Sequence, residues 1–430
     1  MPILHIGLDD TDSKEGMCTT YIGAVIVDKL VEGSVKLVDY PHLIRLNPNW
    51  TLKTRGNCAI AFIVDVEDEQ IPAVNKMVLE TVTRLAELHH ESTNPGVVFY
   101  RSTSIPKELR SYSRRVIQDV VTIEEAVELA KTIGAEVHRF KLGRGVVGAL
   151  AAIGEVLEQD RTFELIAYRV PKNWGMERRI DEKSVFALDA VTYPETFDNL
   201  DPSTREIRIT PHTPCPLLYG IRAQSPGATF KAHRLVRALE PIERWVIYKT
   251  NQATDAHLRS VKINKARPLR SAIIKGMVSR NPKVIPGGHV ILRIRDESGE
   301  IDCAAYEPTR KFREVAKALR VGDLIRAYGG VKKKACLPLT LNLEKVEVLQ
   351  LSPILKKINP ICTGCDRRTK SAGRNKGYVC KRCRRRFPEE QAKLKEESRD
   401  VKPGLYEVPP RARRHLAKPL VRIVNNEEVS

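Results

Sequence analysis

A chain of 430 residues is too long for one compact core, and at roughly 150 residues per domain it should divide into three or so units, with 42% apolar content to fold them. Its 72 Lys and Arg outnumber 53 Asp and Glu, and a formal net charge of +19 calls for a polyanionic partner, nucleic acid first. A membrane is excluded as the obvious partner, because no apolar run approaches the roughly 18 residues of a spanning helix and no basic-apolar-small leader pattern opens the chain. The expected location is the cytoplasm.

In chain order, Ile3-Leu4-His5-Ile6-Gly7-Leu8 reads as a buried strand, and an apolar helical pattern runs from Tyr21 toward Leu30. Between them lies Asp9-Asp10-Thr11-Asp12-Ser13, at the strand's C-terminal end, where open α/β sheets place their ligands. Asp9, Asp10 and Asp12 are hard oxygen donors suited to Mg²⁺ and the oxygens of a nucleotide. Thr19 and Thr20 open the helix, whose first amides attract phosphate. The competing reading is a solvated, capping turn. It is weakened because Asp9 and Asp10 follow an apolar strand directly, and a buried carboxylate without a partner is costly.

Residues 57–66 read as a strand and Gln70 to His89 as a helix, and this alternation indicates an α/β domain. Lys53 and Arg55 lie in a polar, breaker-rich loop and are candidate phosphate ligands, against the plainer reading of a solvated loop. The glycine-punctuated run Gly143-Arg144-Gly145 leads into a small-residue helix and resembles a phosphate-cradling turn without a Walker-type Lys-Ser/Thr. Phe163 to Arg169 and Ser184 to Asp189 read as strands. Thr213 to Arg222 is rich in proline and reads as a loop beside a site, with Arg222 either a phosphate ligand or an ordinary surface arginine.

From Ser271 the pattern changes to short strands, Ser271 to Val278, His289 to Arg295, Glu300 to Tyr306, Asp323 to Gly330 and Leu339 to Val348, with a helix from Thr309 to Leu319. Five strands with a helix after the third describe an OB-fold, and Lys332, Lys333 and Lys334 fall in the loop between its last two strands, where such barrels meet nucleic acid. Cys362, Cys365, Cys380 and Cys383 form two CxxC knuckles, the donor set of a closed tetrahedral Zn²⁺ site. The other cysteines, Cys336 among them, are scattered. Residues 391–430 are charged and aperiodic and read as a flexible basic tail.

Taken together, Gly7-Leu8-Asp9-Asp10-Thr11-Asp12-Ser13 with Gly16-Met17-Cys18-Thr19-Thr20-Tyr21, Leu43-Ile44-Arg45-Leu46-Asn47-Pro48-Asn49, Lys53-Thr54-Arg55-Gly56-Asn57, Gly143-Arg144-Gly145, Thr196-Phe197-Asp198-Asn199, Thr213-Pro214-Cys215-Pro216 and Gly220-Ile221-Arg222 resemble the archaeal tRNA 2-agmatinylcytidine synthetases, from the N-terminus through the cysteine cluster. The resemblance implies a multidomain α+β protein: an α/β, ATP-dependent kinase-like domain (1–140), a ferredoxin-like domain (141–267), an OB-fold β-barrel (268–352) and a zinc ribbon (353–390), before the tail at 391–430. It implies ligation of agmatine to C2 of the wobble cytidine in the CAU anticodon of an isoleucine tRNA, so that the tRNA reads AUA, with ATP, Mg²⁺ and Zn²⁺ as cofactors. It also implies phosphorylation of the threonine matching Thr19. On that basis Asp9, Asp10 and Asp12 hold Mg²⁺ and triphosphate, with Thr20 beside them, while Lys53, Arg55 and Arg222 stabilise the transferring phosphate. Asp198 is the candidate partner for the guanidinium of agmatine, and Lys332, Lys333 and Lys334 contact the RNA. No protein partner is implied. Two rival readings are a non-catalytic RNA-binding protein working through its barrel and ribbon, and an ATP-dependent RNA modifier using a different amine.

Overall fold

The computed structural model describes residues 3–335 and 337–427, so Cys336 lies outside the described residues. From the N-terminus, β1 (Ile3–Asp9) leads into α1 (Thr19–Glu32), β2 (Lys36–Leu37), β3 (His42–Arg45), β4 (Cys58–Asp65), α2 (Ile71–Leu85), β5 (Gly96–Arg101), α3 (Lys107–Gln118), α4 (Ile123–Thr132), β6 (Glu136–Arg139) and α5 (Val146–Gly154). Then come β7 (Thr162–Arg169), α6 (Glu182–Thr192), β8 (Thr196–Phe197), the small hairpin β9 (Leu200–Asp201) with β10 (Glu206–Ile207), β11 (Leu217–Ala223), α7 (Pro226–His233) and β12 (Ile242–Thr250).

These strands make one ten-stranded sheet in the order β6-β5-β1-β4-β3-β12-β7-β11-β8, with β2 pairing β4. The residues of β1 are buried on both faces, which is why the sequence shows a continuous apolar run and no alternation. One face packs α1 and α2 against Leu4, Ile6, Leu8 and Phe62; the other packs α3, α4 and α5 against Ile44, Ala59, Ala61 and Val98. The expected alternation of strands and helices is present, but β1 runs antiparallel to both its neighbours, β4 and β5. The crevice of a parallel sheet is therefore not what positions the acidic turn. Periodicity reports burial and is blind to strand direction, so the sequence could not separate the two cases.

What positions it instead is α5. Gly7 on β1 admits the helix backbone, for a Cβ there would lie 2.2 Å from the Ala149 carbonyl oxygen, and Gly148 faces Asp9, whose Oδ2 would lie 2.0 Å from an added Cβ. The two halves of the sheet join through the parallel pair β3 with β12, at His42↔Lys249 and Leu43↔Thr250. Strands β12, β7, β11 and β8 thus continue the sheet begun by β1 to β6.

Two expected elements differ. Ser184–Asp189 belongs to α6, not to a strand: Asp181 caps it by accepting from the Lys183 amide, and Val185, Leu188 and Thr192 bury one helical stripe. The loop expected at 213–222 ends early, because Pro214 and Pro216 precede β11, which pairs with β7 through a bulge between Leu217 and Tyr219.

The barrel follows the expected order: β13 (Leu258–Ser260), β14 (Ser271–Ile285), β15 (His289–Asp296), β16 (Gly299–Ala305), α8 (Lys311–Ala318), β17 (Leu324–Lys332) and β18 (Thr340–Gln350). Closure comes from β14, which pairs both β15 and β17. Beyond it, β19 (Leu355–Ile358) pairs with β23 (Lys393–Glu396) as a stalk for the ribbon, whose β20 (Lys370–Ser371), β21 (Tyr378–Val379) and β22 (Arg386–Phe387) enclose only Cys362, Cys380, Tyr378 and Phe387.

The tail expected to be flexible is ordered over most of its described length. It returns as β24 (Gly404–Glu407) on β18 and then runs across the seam between sheet and barrel, with Leu416 and Ala417 buried. Arg399, Arg413, Arg414, Lys418 and Arg422 pair with Asp323, Asp198, Glu344 and Asp160 of the barrel and sheet, so the segment's composition resembles that of a solvated one although its environment is not. Among the described residues no helix is long and apolar enough to cross a membrane.

Candidate active site

The acidic turn is folded inward. Asp10 takes a left-handed backbone conformation at φ 60° and is buried. Arg144, from the turn before α5, donates to both its carboxylate oxygens at 3.0 Å and to the Ser92 carbonyl at 2.7 Å. Asp12 receives the Arg55 guanidinium at 2.5 Å. Asp9 accepts only the Asp10 amide, at 2.6 Å, and among the described residues no cation pairs with it. Burial, followed by the charge of Asp10, pushes the Asp9 carboxyl well above the usual range. Burial also raises Asp12, and lifts Asp10 from 3.8 to about 6 against the pull of Arg144.

Asp9, Asp10 and Asp12 line one cavity but do not form a closed ligand cluster, since among the described residues only the four ribbon cysteines bring three or more ligand atoms within 4.8 Å of one another. A buried carboxylate without a counter-charge still fits Mg²⁺, which takes one or two carboxylates beside the oxygens of a nucleotide. Without a cation, the three carboxylates destabilise the fold in a pH window that Asp10 fixes. Between 3.8 and about 6 the folded state binds more protons than the unfolded state, so stability falls as pH rises through that interval. In melts without divalent cations, the wild type should lose on the order of 2 kcal/mol relative to Asp10→Asn across it. A constant difference between the two proteins would show that Asp10 is not buried as described.

The trio lines a cavity of about 390 Å³ together with the apolar side chains of Trp50, Leu52, Val121, Ile123 and Val147. Thr19, the first residue of α1, lines it, and its hydroxyl oxygen accepts from Thr11 at 3.1 Å. Apolar side chains that can cover a base, lining the same cavity as carboxylates, Lys53, Arg55 and Arg144 that can hold a polyphosphate, suit a nucleotide.

Asp12, Lys53, Arg55 and Cys58 are also the wall of a second cavity of about 580 Å³. Here lie Thr20, Glu164, Asp198, Arg222, Lys332 and, from the returning C-terminal segment, Arg411, Arg413, Arg414 and His415. Arg222 is 3.4 Å from Glu164 and 3.7 Å from Asp198, and it donates to His415 Nδ1 at 2.8 Å. The charge of Arg45, then burial and the charges of Arg222 and Lys53, hold the His415 imidazole well below its usual range and hence neutral. Asp198 also pairs with Arg413.

Of the residues picked from sequence, Asp9, Asp10, Asp12, Thr19, Lys53 and Arg55 come together around the smaller cavity. Thr20, Asp198, Arg222 and Lys332 line the larger one, while Lys333 and Lys334 are exposed on the barrel loop. The cation on Asp10 is Arg144, and Arg222 serves Glu164 and Asp198. The run Gly143-Arg144-Gly145 was the available signal for the former. Glu164, Arg413 and His415 carried none.

In the ribbon, the sulfurs of Cys362, Cys365, Cys380 and Cys383 lie within 4.8 Å of one another. Backbone amides of Cys383 and Arg382 favour the Cys380 thiolate. Four convergent thiols fit tetrahedral Zn²⁺ with no open position.

Two cavities that share Asp12, Lys53 and Arg55, one suited to a nucleotide and one cationic, on a chain that also carries an OB barrel and a ribbon, point to the class of ATP-dependent RNA-modifying enzymes. Residues 5–142 match the TiaS TCKD domain, 143–257 the TiaS FLD domain, 272–349 the OB-fold nucleic acid binding domain and 359–401 the TiaS C-terminal zinc ribbon domain. The chain is 44% identical to the isoleucine-tRNA 2-agmatinylcytidine synthetase TiaS of Archaeoglobus fulgidus over 97% of both chains, and 43% identical to that of Pyrococcus horikoshii over 97% of both. It superimposes on the crystal structure of apo TiaS with a TM-score of 0.88 at 42% identity, covering 98% of this chain and 97% of that one. For the complex of TiaS with its isoleucine tRNA and ATP the TM-score is 0.87 at 42% identity, covering 98% of both. The chain belongs to the TiaS family of isoleucine-tRNA 2-agmatinylcytidine synthetases.

Proposed function

We propose that this chain joins agmatine to C2 of the wobble cytidine of the isoleucine tRNA with a CAU anticodon, using ATP to activate the base. The observation that carries the reading is the shared wall: Asp12, Lys53 and Arg55 face both the nucleotide-shaped cavity and the cationic one, so a phosphoryl group held in the first is presented to a base in the second. In support, solved relatives are described as complexes with an isoleucine tRNA and ATP, and with that tRNA, AMPCPP and agmatine.

In this mechanism the apolar side chains of the smaller cavity cover adenine and the trio directs the triphosphate toward the shared wall. Mg²⁺, when bound by Asp9, Asp10 and Asp12, neutralises phosphate charge. Lys53 and Arg55 stabilise the phosphoryl group as it passes to the C2 oxygen, a poor leaving group that phosphorylation converts into a good one. The agmatine amine then attacks C2, the C2–O bond breaks, phosphate leaves with that oxygen, and the nitrogen loses a proton. Thr19, inside the nucleotide cavity, accepts a second phosphoryl group. Because the wobble base sits in a single-stranded loop, turning it into the cavity costs only a few kcal/mol.

Mass spectrometry of the wobble nucleoside after incubation with ATP, agmatine and the isoleucine tRNA tests this directly. The expected result is cytidine heavier by agmatine less water, dependent on ATP. Unmodified cytidine in every reaction would overturn it.

Agmatine is a dication, and Glu164 and Asp198 are carboxylates of the larger cavity outside the acidic turn, already holding the guanidiniums of Arg222 and Arg413. Asp198→Ala should raise the KM for agmatine by about tenfold or more, the scale of one lost charge-assisted hydrogen bond, and an unchanged KM would remove Asp198 from the site. The ribbon is read as a tRNA grip, since Arg367, Arg368, Lys370, Arg374 and Lys376 lie between its knuckles. The double change Cys362→Ser, Cys365→Ser should weaken tRNA binding by on the order of tenfold or more while sparing ATP binding, because metal and ribbon fold together. Equal loss of both would mean that the ribbon holds up the whole fold.

A further inference from the structure

Three cations reach one corner of the larger cavity from three distant parts of the chain. Lys53 comes from the loop before β4, Lys332 from the end of barrel strand β17, and Arg414 from the segment after the ribbon. The corner is tightly built. Arg414 Nη1 donates to the Asn49 amide oxygen at 2.8 Å, and a Cβ added to Gly330 would fall 2.4 Å from that oxygen and 3.0 Å from the guanidinium. Loop, barrel and C-terminal segment therefore meet at one point.

Among the described residues neither lysine is paired with a carboxylate. The Lys53 ammonium donates to the Pro48 carbonyl, and Lys332 lies 3.5 Å from the Asn49 carbonyl. Arg414 is paired with an acid, Glu344, at 3.2 Å from its Nε, and Glu344 is shared with His257 at 2.9 Å. Burial first, and then the charges of Arg414 and Lys332, bring Lys53 down to about 8, so like-charge crowding is one part of the cost of keeping this corner cationic. An anion would relieve it.

Two anions are available, a nucleotide triphosphate and an RNA backbone. Of the three cations only Lys53 touches the nucleotide-shaped cavity; Lys332 and Arg414 line the larger one alone and belong to the barrel and the segment beside it. We propose that Lys53, Lys332 and Arg414 clamp a single phosphodiester of the RNA, the one beside the nucleotide turned into the cavity, so that the C-terminal segment closes the third side of the base's path. This rests on the reading of the larger cavity as the place where the wobble cytidine reacts.

The test uses the full-length protein and anticodon stem-loop RNAs in which one linkage at a time near the wobble position is a neutral methylphosphonate. For the wild type, one flanking linkage should stand out, its neutralisation weakening binding by about tenfold. Arg414→Gln and Lys332→Gln should each weaken the unmodified RNA similarly, lower the salt slope of log Kd by about 0.7, and lose most of the response to that linkage. Arg414→Lys should restore the slope, and the KM for ATP should stay within about twofold. If no linkage couples to either variant, or if the variants raise the ATP KM in place of the RNA Kd, the clamp is wrong. Should Arg414→Gln fail to fold, Lys332→Gln with the same RNAs decides. Wild-type protein that makes product yet ignores every neutral linkage rejects the clamp alone, whereas absence of product rejects the functional reading beneath it.

Discussion

Asp9→Asn should give a protein that folds, melts higher than the wild type in the absence of divalent cations, and turns over ATP about a thousandfold more slowly. Folding is expected because asparagine is isosteric and keeps an acceptor for the Asp10 amide at 2.6 Å, in a space where Gly148 leaves room for nothing larger. The higher melting temperature follows from charge: Asp9 is buried beside Asp10 and Asp12 with no cation of its own among the described residues, and neutralising it removes the worst-placed charge of the three. A side chain that weakens the fold while serving the reaction is a common compromise at active sites. Loss of turnover follows from the same feature, since Asp10 is occupied by Arg144 and Asp12 by Arg55, which leaves Asp9 as the carboxylate most available to a cation. Mg²⁺ with ATP should raise the melting temperature of the wild type and leave the variant nearly unmoved. Turnover within tenfold of wild type would show that the trio does not hold the metal.

The parts of this site that were legible in the sequence are those whose chemistry is local. Ile3–Asp9, the acidic turn and Thr19 lie on consecutive residues, so strand, ligands and helix start can be read together. The barrel was legible because each of its strands alternates or runs apolar between turn residues, and the knuckles because CxxC pairs have few other uses. What stayed hidden depends on tertiary register. Arg144 reaches Asp10 across 134 residues, and nothing near either residue specifies the other. The antiparallel order of β1, β4 and β5 and the packing of α5 on Gly7 are set by which faces fit, a choice that periodicity does not record. Ser184–Asp189 misled because Val185 and Phe186 favour strands intrinsically, and the helical stripe is short enough for the cap at Asp181 to be the deciding signal. The C-terminal segment was hidden for the opposite reason. It is held by ion pairs more than by apolar contacts, and composition cannot distinguish a charge in water from one in a buried pair.

That segment gives the second large effect: a chain ending at Lys402 should lose ligation by at least about a hundredfold. The missing residues include Arg413, on Asp198 with both side chains over nine-tenths buried, and Arg422, on Asp160 at 2.6 Å and on the Gln224 amide oxygen at 3.0 Å. Removing one partner of a buried ion pair costs about 3–5 kcal/mol, because the remaining charge has neither water nor a counter-ion. Asp198 would retain only Arg222, at 3.7 Å, and with His415 gone Arg222 would lose its third partner. The larger cavity would then be open along the side now formed by Pro410 to Leu416, admitting water to the site where the proposed mechanism requires an activated cytosine to survive until the amine arrives. The edge of β18 that now pairs with β24 would also be bare. A synthetic peptide spanning residues 403–423, added to the truncated protein, separates the two consequences. Recovery of product with the peptide would show that the fold survived and that the cavity alone was incomplete. No recovery, together with a lower melting temperature, would mean that the segment chiefly locks barrel to sheet. Full ligation by the truncated chain without peptide would return these residues to the status of a dispensable tail.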